Sequence, residues 1–255
     1  MSYAALFNNR IKKSTAKHGQ RQTSPMTLCK LIFSALLLGS ATSLAAEAAI
    51  SQNQTKVVYY TLQNKEYFET KVKPLFAAQA SSCKSCEIVN MTPYKEDGQV
   101  DMAALAKSIE ELPETTSFAL MDFNLKSTDE NKALVETLNK KTAAGFVVVA
   151  SAGAPKSSEA SSPLSRTVFG QVQGALIIGE LSERDRLMPT GFYGPEMLTA
   201  VRPPKDMMGQ GFGPLIFASN LAEKWNKRTS TEWVDYFKTK KLKSRKIWLD
   251  LNDLF

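Results

Sequence analysis

The sequence predicts an α/β fold, a three-layer α/β/α sandwich built on a mainly parallel sheet. Strand and helix signals alternate from residue 56 to residue 144. The inner strand candidates "SFALMDF" (117–123), "GFVVVAS" (145–151) and "ALIIGEL" (175–181) are apolar on both faces, the pattern of strands covered by helices from two sides. One helix candidate, 214–225, carries Leu215, Ile216, Phe217, Ala218, Leu221, Ala222 and Trp225, too much apolar surface for a helix with one buried face.

The elements follow in order. "KVVYY" (56–60) is read as the first strand, and 65–80 as a helix interrupted by Pro74, which lacks the N–H that a helix interior needs. "EIVNM" (87–91) is the second strand, followed by a turn at Asp97-Gly98. Residues 101–112 place Met102, Leu105, Ala106, Ile109 and Leu112 on one helical face. Ser127 with Glu130 has the spacing of a capping box that opens a helix to about Ala144. Residues 152–173 read as a long polar loop and 186–204 as a β-excursion between Gly194-Pro195 and Pro203-Pro204. Thr229 and Glu232 cap a last amphipathic helix with Trp233, Phe237 and Leu242 on its apolar side.

Three segments are expected. Residues 1–25 are polar and basic with no acidic residue, an extension that translation from Met26 would omit. Residues 26–45 have the layout of a signal peptide: Lys30, an apolar run from Leu31 to Leu38, and small residues at Ser43 and Ala45. The run is much shorter than the roughly 20 residues of a membrane-spanning helix, so cleavage near Ala45, a periplasmic or secreted destination and no stable membrane insertion are expected. Residues 46–255 then form a single domain.

Charge and residue counts narrow the chemistry. The whole chain has 32 Lys and Arg against 25 Asp and Glu, a formal +7. Six of those cations lie in residues 1–45, which leaves 26 basic against 25 acidic residues and no reason to expect a nucleic-acid partner. The single histidine is His18, upstream of the folded domain, so no imidazole is left for a Ser-His or Cys-His system or a histidine-ligated zinc. Cys83 and Cys86 are expected to form a local disulfide; thiol redox is the alternative, though the run after Cys86 is strand-like and redox cysteines favour helix starts. No metal and no cofactor is implied. The glycine cluster Gly209, Gly211, Gly213 comes too late in the chain for a dinucleotide fingerprint and lacks a phosphate-loop lysine, so a tight corner with Pro214 in the first helical turn is the plain reading.

The order of these motifs resembles the subtilase (subtilisin-like serine protease) family. "EIVNMTPYKEDGQVDMAALAKSIEEL" is similar to the family's strand, Asp/Asn-Gly turn and amphipathic helix. "GFVVVASAGAP" resembles its VVVAAAGN turn, and "ALIIGELSERDRLMPTGFYGPEMLTAVRPP" its next strand, Tyr-Gly-Pro turn and Pro-rich end. "GQGFGPLIFASNLA" falls where the family has Gly-Thr-Ser-x-Ala-x-Pro opening its central helix. The resemblance spans about residues 56–226 and implies a subtilisin-like fold. It also implies that the catalytic positions are degenerate: Gly211 or Gln210 replaces the serine, Ala154 the oxyanion asparagine, and Tyr60 the first-strand aspartate, while helix 65–80 has no histidine. The implied function is a catalytically inactive relative that binds a protein or peptide. The alternatives are a hydrolase with non-standard residues and a thiol-redox protein. The implied groove is bordered by 122–128, 152–158 and 209–213, with Asp122, Asn124, Ser151, Gly153, Gly209 and Gly211 as its candidate residues.

Overall fold

Six strands form one sheet in the order β2-β1-β3-β4-β5-β6, and every neighbouring pair is parallel. The strands are β1 (Thr55–Tyr60), β2 (Cys86–Asn90), β3 (Phe118–Met121), β4 (Val147–Ser151), β5 (Leu176–Glu180) and β6 (Met197–Val201). The computed structural model describes residues 54–153, 163–188, 191–244 and 254–255, with the side chains of 242–244 excepted. The expected extension (1–25) and signal peptide (26–45) lie outside the described residues, as does Ala154.

Strand alternation sends successive side chains into two separate cores. Val57, Tyr59, Phe118, Leu120, Val147, Val149, Leu176 and Ile178 meet one helical layer. It consists of α1 (residues 65–79), α4 (Gly213–Glu223) and α5 (Ser230–Ser244). Val58, Tyr60, Ala119, Met121, Val148, Ala150 and Ile177 meet the other, formed by α2 (Met102–Glu110) and α3 (Lys132–Ala143). This is the three-layer α/β/α arrangement expected from the apolar runs. α4 is its central helix, with nine of its residues, Gly213 to Ser219, Leu221 and Ala222, buried. Among the described residues no helix is long and apolar enough to cross a membrane.

Several local expectations are corrected. Pro74 does not interrupt α1. The helix runs through Lys65–Tyr67, a π turn at Phe68–Val72 and Lys73–Gln79, and the Lys73 N–H donates to the Phe68 carbonyl five residues back. Widening that turn re-pairs backbone groups where the proline has no N–H to give. The capping box before α3 is Thr128 with Asn131, one residue later than expected, while the Ser127 hydroxyl meets Gln171. The second half of the 186–204 excursion is β6, added parallel to the sheet edge beyond a register shift at Ile177/Ile178. The later part of the 152–173 loop is ordered as two 3-10 turns, Leu164–Arg166 and Phe169–Gln171, that bury Leu164, Val168 and Phe169. Thr229 and Glu232 do cap α5 as expected, with Thr229 N–H and Oγ1 on Glu232 Oε2 at 2.7 and 2.9 Å. Cys83 and Cys86 are joined as a local disulfide between the turn before β2 and the first residue of that strand.

Phe217 is fully buried at the middle of α4, with ring centroids 5.4 Å from Phe237 and 5.7 Å from Phe255. Phe217→Ala is expected to cost about 3–5 kcal/mol of unfolding free energy, measured by urea denaturation.

Candidate functional site

The sheet reverses its winding between β1 and β3, and ligands of open α/β sheets gather beyond the strand carboxyl ends at such a point. A cavity of about 300 Å³ lies there. Its walls come from the ends of four strands and the start of α4: Leu62 and Gln63 after β1, Asp122 to Asn124 after β3, Ser151 to Gly153 after β4, Glu180 at the end of β5, and Gly209 to Gly211 before α4. All six groove residues expected from the sequence, Asp122, Asn124, Ser151, Gly153, Gly209 and Gly211, line this one space. A wider, more open groove of about 960 Å³ shares Leu62 with it and continues between α2 and α3 past Met102, Leu125 and Leu134.

The wall on the β3–β4 side is held by Asn124. Its amide nitrogen donates to the Ala152 carbonyl and the Thr167 hydroxyl at 3.3 and 3.1 Å, and its oxygen accepts from Leu125 N–H. Gly153 has φ +73°, and a Cβ there would stand 2.7 Å from the Asn124 Cβ, so only glycine fits. The Ser151 hydroxyl accepts the Gly153 N–H at 2.9 Å.

The opposite wall is the turn before α4, and its capping group is not local. The residue preceding the helix is Phe212, with no side-chain cap, and Pro214 is the second helical residue. A buried helix start leaves amides without partners. Here the Glu180 carboxylate pairs one of them, Oε2 accepting from Gly213 N–H at 3.3 Å, while Oε1 accepts from Gly209 N–H of the exposed turn at 2.5 Å. Gly209 and Gly211 take φ +75° and +81°, which folds the amides of this turn around the carboxylate. Burial pushes the Glu180 carboxyl up, and the surrounding amides of Gly209, Gly213, Gly211 and Phe212 pull it back. The Gln210 side chain turns away to the Asp206 carbonyl at 3.0 Å.

Asp122 is the second carboxyl of the cavity. Its Oδ2 accepts from the Tyr59 hydroxyl at 2.5 Å. Removal from water pushes Asp122 up to about 7, the Tyr59 hydrogen bond opposes this, and the Glu180 charge adds to it. Tyr59 itself is held in its neutral form far above the usual phenol range by burial and then by the Asp122 charge. Tyr67, raised first by burial and then by Asp122, lines the same cavity and stacks on Phe212 at 6.5 Å.

Tyr60, expected at a site position, does not line the cavity. Alternation turns it into the other core, where its hydroxyl meets the Ser108 carbonyl at 3.2 Å. Tyr59, Tyr67 and Glu180 are site residues that sequence reasoning missed. Among the described residues no three His, Cys, Asp or Glu side chains converge as a metal site requires.

No protein-family model matches the sequence, and no curated protein matches it significantly. Solved structures do match in fold. A cold-adapted subtilisin-like serine proteinase superposes with a TM-score of 0.56 at 10% identity, covering 74% of this chain and 83% of that one. A lanthipeptide protease superposes with a TM-score of 0.50 at 11% identity, covering 73% and 79%. The chain therefore has a subtilisin-like fold.

The raised Asp122 carboxyl makes a signed prediction about stability. Its unfolded value is about 3.9 and its folded value about 7, so the fold favours the protonated form. That contribution is complete below about pH 4 and is lost as pH rises through about 7. Asp122→Asn keeps an acceptor for Tyr59 and removes the titration. Relative to the natural protein, it is expected to gain on the order of 2–4 kcal/mol of unfolding free energy between pH 4 and pH 8, followed by urea denaturation at each pH. A difference that stays constant with pH contradicts this.

Proposed function

We propose that this chain is an exported protein of subtilisin-like fold that binds an extended peptide segment without serine-type hydrolysis. The observation that carries the reading is the occupied turn before α4. Where the resemblance would put a nucleophile there are Gln210 and Gly211, and the amides that could face a developing oxyanion are hydrogen-bonded to the protein's own Glu180. The single histidine, His18, precedes the described domain, so no imidazole from the fold can activate a hydroxyl. The cleft nevertheless has the form of a peptide site. The cavity and the groove share Leu62 as a lining residue, which is 40% exposed, and Met102 is exposed along the groove. An extended chain laid there would present alternate side chains to the two spaces. Export rests on the leader-like pattern of residues 26–45.

A second reading, hydrolysis by the carboxyl pair, draws on Asp122, whose value near neutrality suits a general acid or base. Two assays separate the readings. The purified full chain is expected to remain unlabelled by a fluorophosphonate probe and to release extended peptides intact, as read by mass spectrometry; turnover of a bound peptide contradicts the binding reading. Leu62→Ser removes apolar contact at the residue both spaces share and is expected to weaken peptide affinity about tenfold with an unchanged melting temperature, measured by fluorescence polarisation.

A further inference from the structure

Independently of the peptide-binding reading, we propose that the turn between α4 and α5, with the adjoining side of α5, is a peripheral docking surface for anionic phospholipid headgroups. Five basic residues and two acidic ones lie between positions 224 and 240. Arg228 is at the centre of the patch. Its guanidinium carbon stands 4.9 Å from the ring centroid of Trp233 and 4.4 Å from that of Tyr236, and the Lys240 ammonium stands 5.5 Å from the same Tyr236 ring. Trp225 stacks on Trp233 at 6.3 Å, so the ring cluster continues back into the turn. Lys224 and Lys227, close to Trp225 and Arg228 in that turn, are exposed.

The cations of this patch have no internal counter-charge. Lys224, Lys227, Arg228 and Lys240 form no ion pair among the described residues. Glu232 comes four residues after Arg228, but its carboxylate already accepts the Thr229 N–H and hydroxyl at 2.7 and 2.9 Å. The backbone adds a separate sign. Lys227 takes φ +60°, the left-handed region that residues with a side chain rarely adopt. A glycine would hold that shape without strain, and the position carries a cation instead.

The chemistry of the patch selects its partner. A guanidinium positioned on aromatic rings keeps a fork of N–H donors that matches phosphate oxygens, and the lysines add point charges around it. A soluble phosphate would use the cations alone. Trp225 and Tyr236 are half-buried beside them, and rings with an apolar body and a polar tip set among lysine and arginine suit the boundary between headgroups and acyl chains. An anionic bilayer surface meets both halves of the patch.

Tryptophan occurs at positions 225, 233 and 247 and nowhere in residues 1–53, so its fluorescence reports this part of the chain and not the basic leader. The test mixes the full chain with phosphatidylglycerol vesicles whose acyl chains carry bromine, a contact quencher of tryptophan. Saturable quenching is expected, weakened by added salt and absent with brominated phosphatidylcholine. Lys224→Gln and Lys227→Gln, both at exposed positions, should each weaken vesicle affinity about fivefold with an unchanged melting temperature. Arg228→Lys, which keeps the charge and loses the fork, should weaken it less than Arg228→Gln does. No quenching by the phosphatidylglycerol vesicles, equal quenching by both lipids, or quenching untouched by the two lysine changes overturns the proposal. Binding of inorganic phosphate or an oligonucleotide without vesicle quenching assigns the cations to a soluble ligand and overturns it as well.

Discussion

The hydrogen bonds from the turn before α4 to the Glu180 carboxylate are the constraint on which the site depends. α4 is buried in the middle of the domain, and its sequence offers no serine, threonine, aspartate or asparagine to cap its first turn. The buried Gly213 amide left unpaired there would cost about 1–3 kcal/mol. The carboxylate that removes this cost arrives from β5, 29 and 33 residues earlier in the chain. It ties the end of β5 to the start of the central helix and so sets one wall of the cavity.

This arrangement also determines what the cavity can do. A helix start normally offers an anion site to a ligand, and a protease of this fold would use such amides on a developing charge. Here an internal anion takes that place, so the cavity presents carboxyl groups rather than free N–H donors to whatever enters. Asp122 is raised chiefly by its removal from water, against the Tyr59 hydrogen bond, and the Glu180 charge adds to the rise. The opposite wall is rigid for a separate reason, since Asn124 links three segments and Gly153 allows them to approach. One wall is thus set by electrostatics and the other by packing.

Much of the architecture was legible because burial on two faces leaves a plain mark. The runs at 117–123, 145–151 and 175–181 gave β3, β4 and β5, and the all-round apolar surface of 214–225 gave the central helix. β6 was harder to read because its five residues sit among Gly and Pro turn signals. The π turn in α1 was invisible because it answers a backbone vacancy rather than a side-chain pattern. At the site, glycines and small residues marked the loops, and Asp122, Asn124, Ser151, Gly153, Gly209 and Gly211 do surround one cavity. Glu180 was missed since it ends an apolar strand, and its partners are amides that no residue code displays. Tyr60 packs into the α2/α3 core because successive strand residues face opposite sides of the sheet, and it is its neighbour Tyr59 whose hydroxyl reaches Asp122.

The pairing of Glu180 with the turn amides is best tested by NMR of the full chain, following the Gly209 and Gly213 amide protons through a pH titration. Both protons are expected to lie downfield, to exchange slowly with solvent, and to shift together as the Glu180 carboxyl titrates; Glu180→Gln should remove the titration. Amide protons that exchange freely and ignore the Glu180 titration would show an open turn and contradict this account.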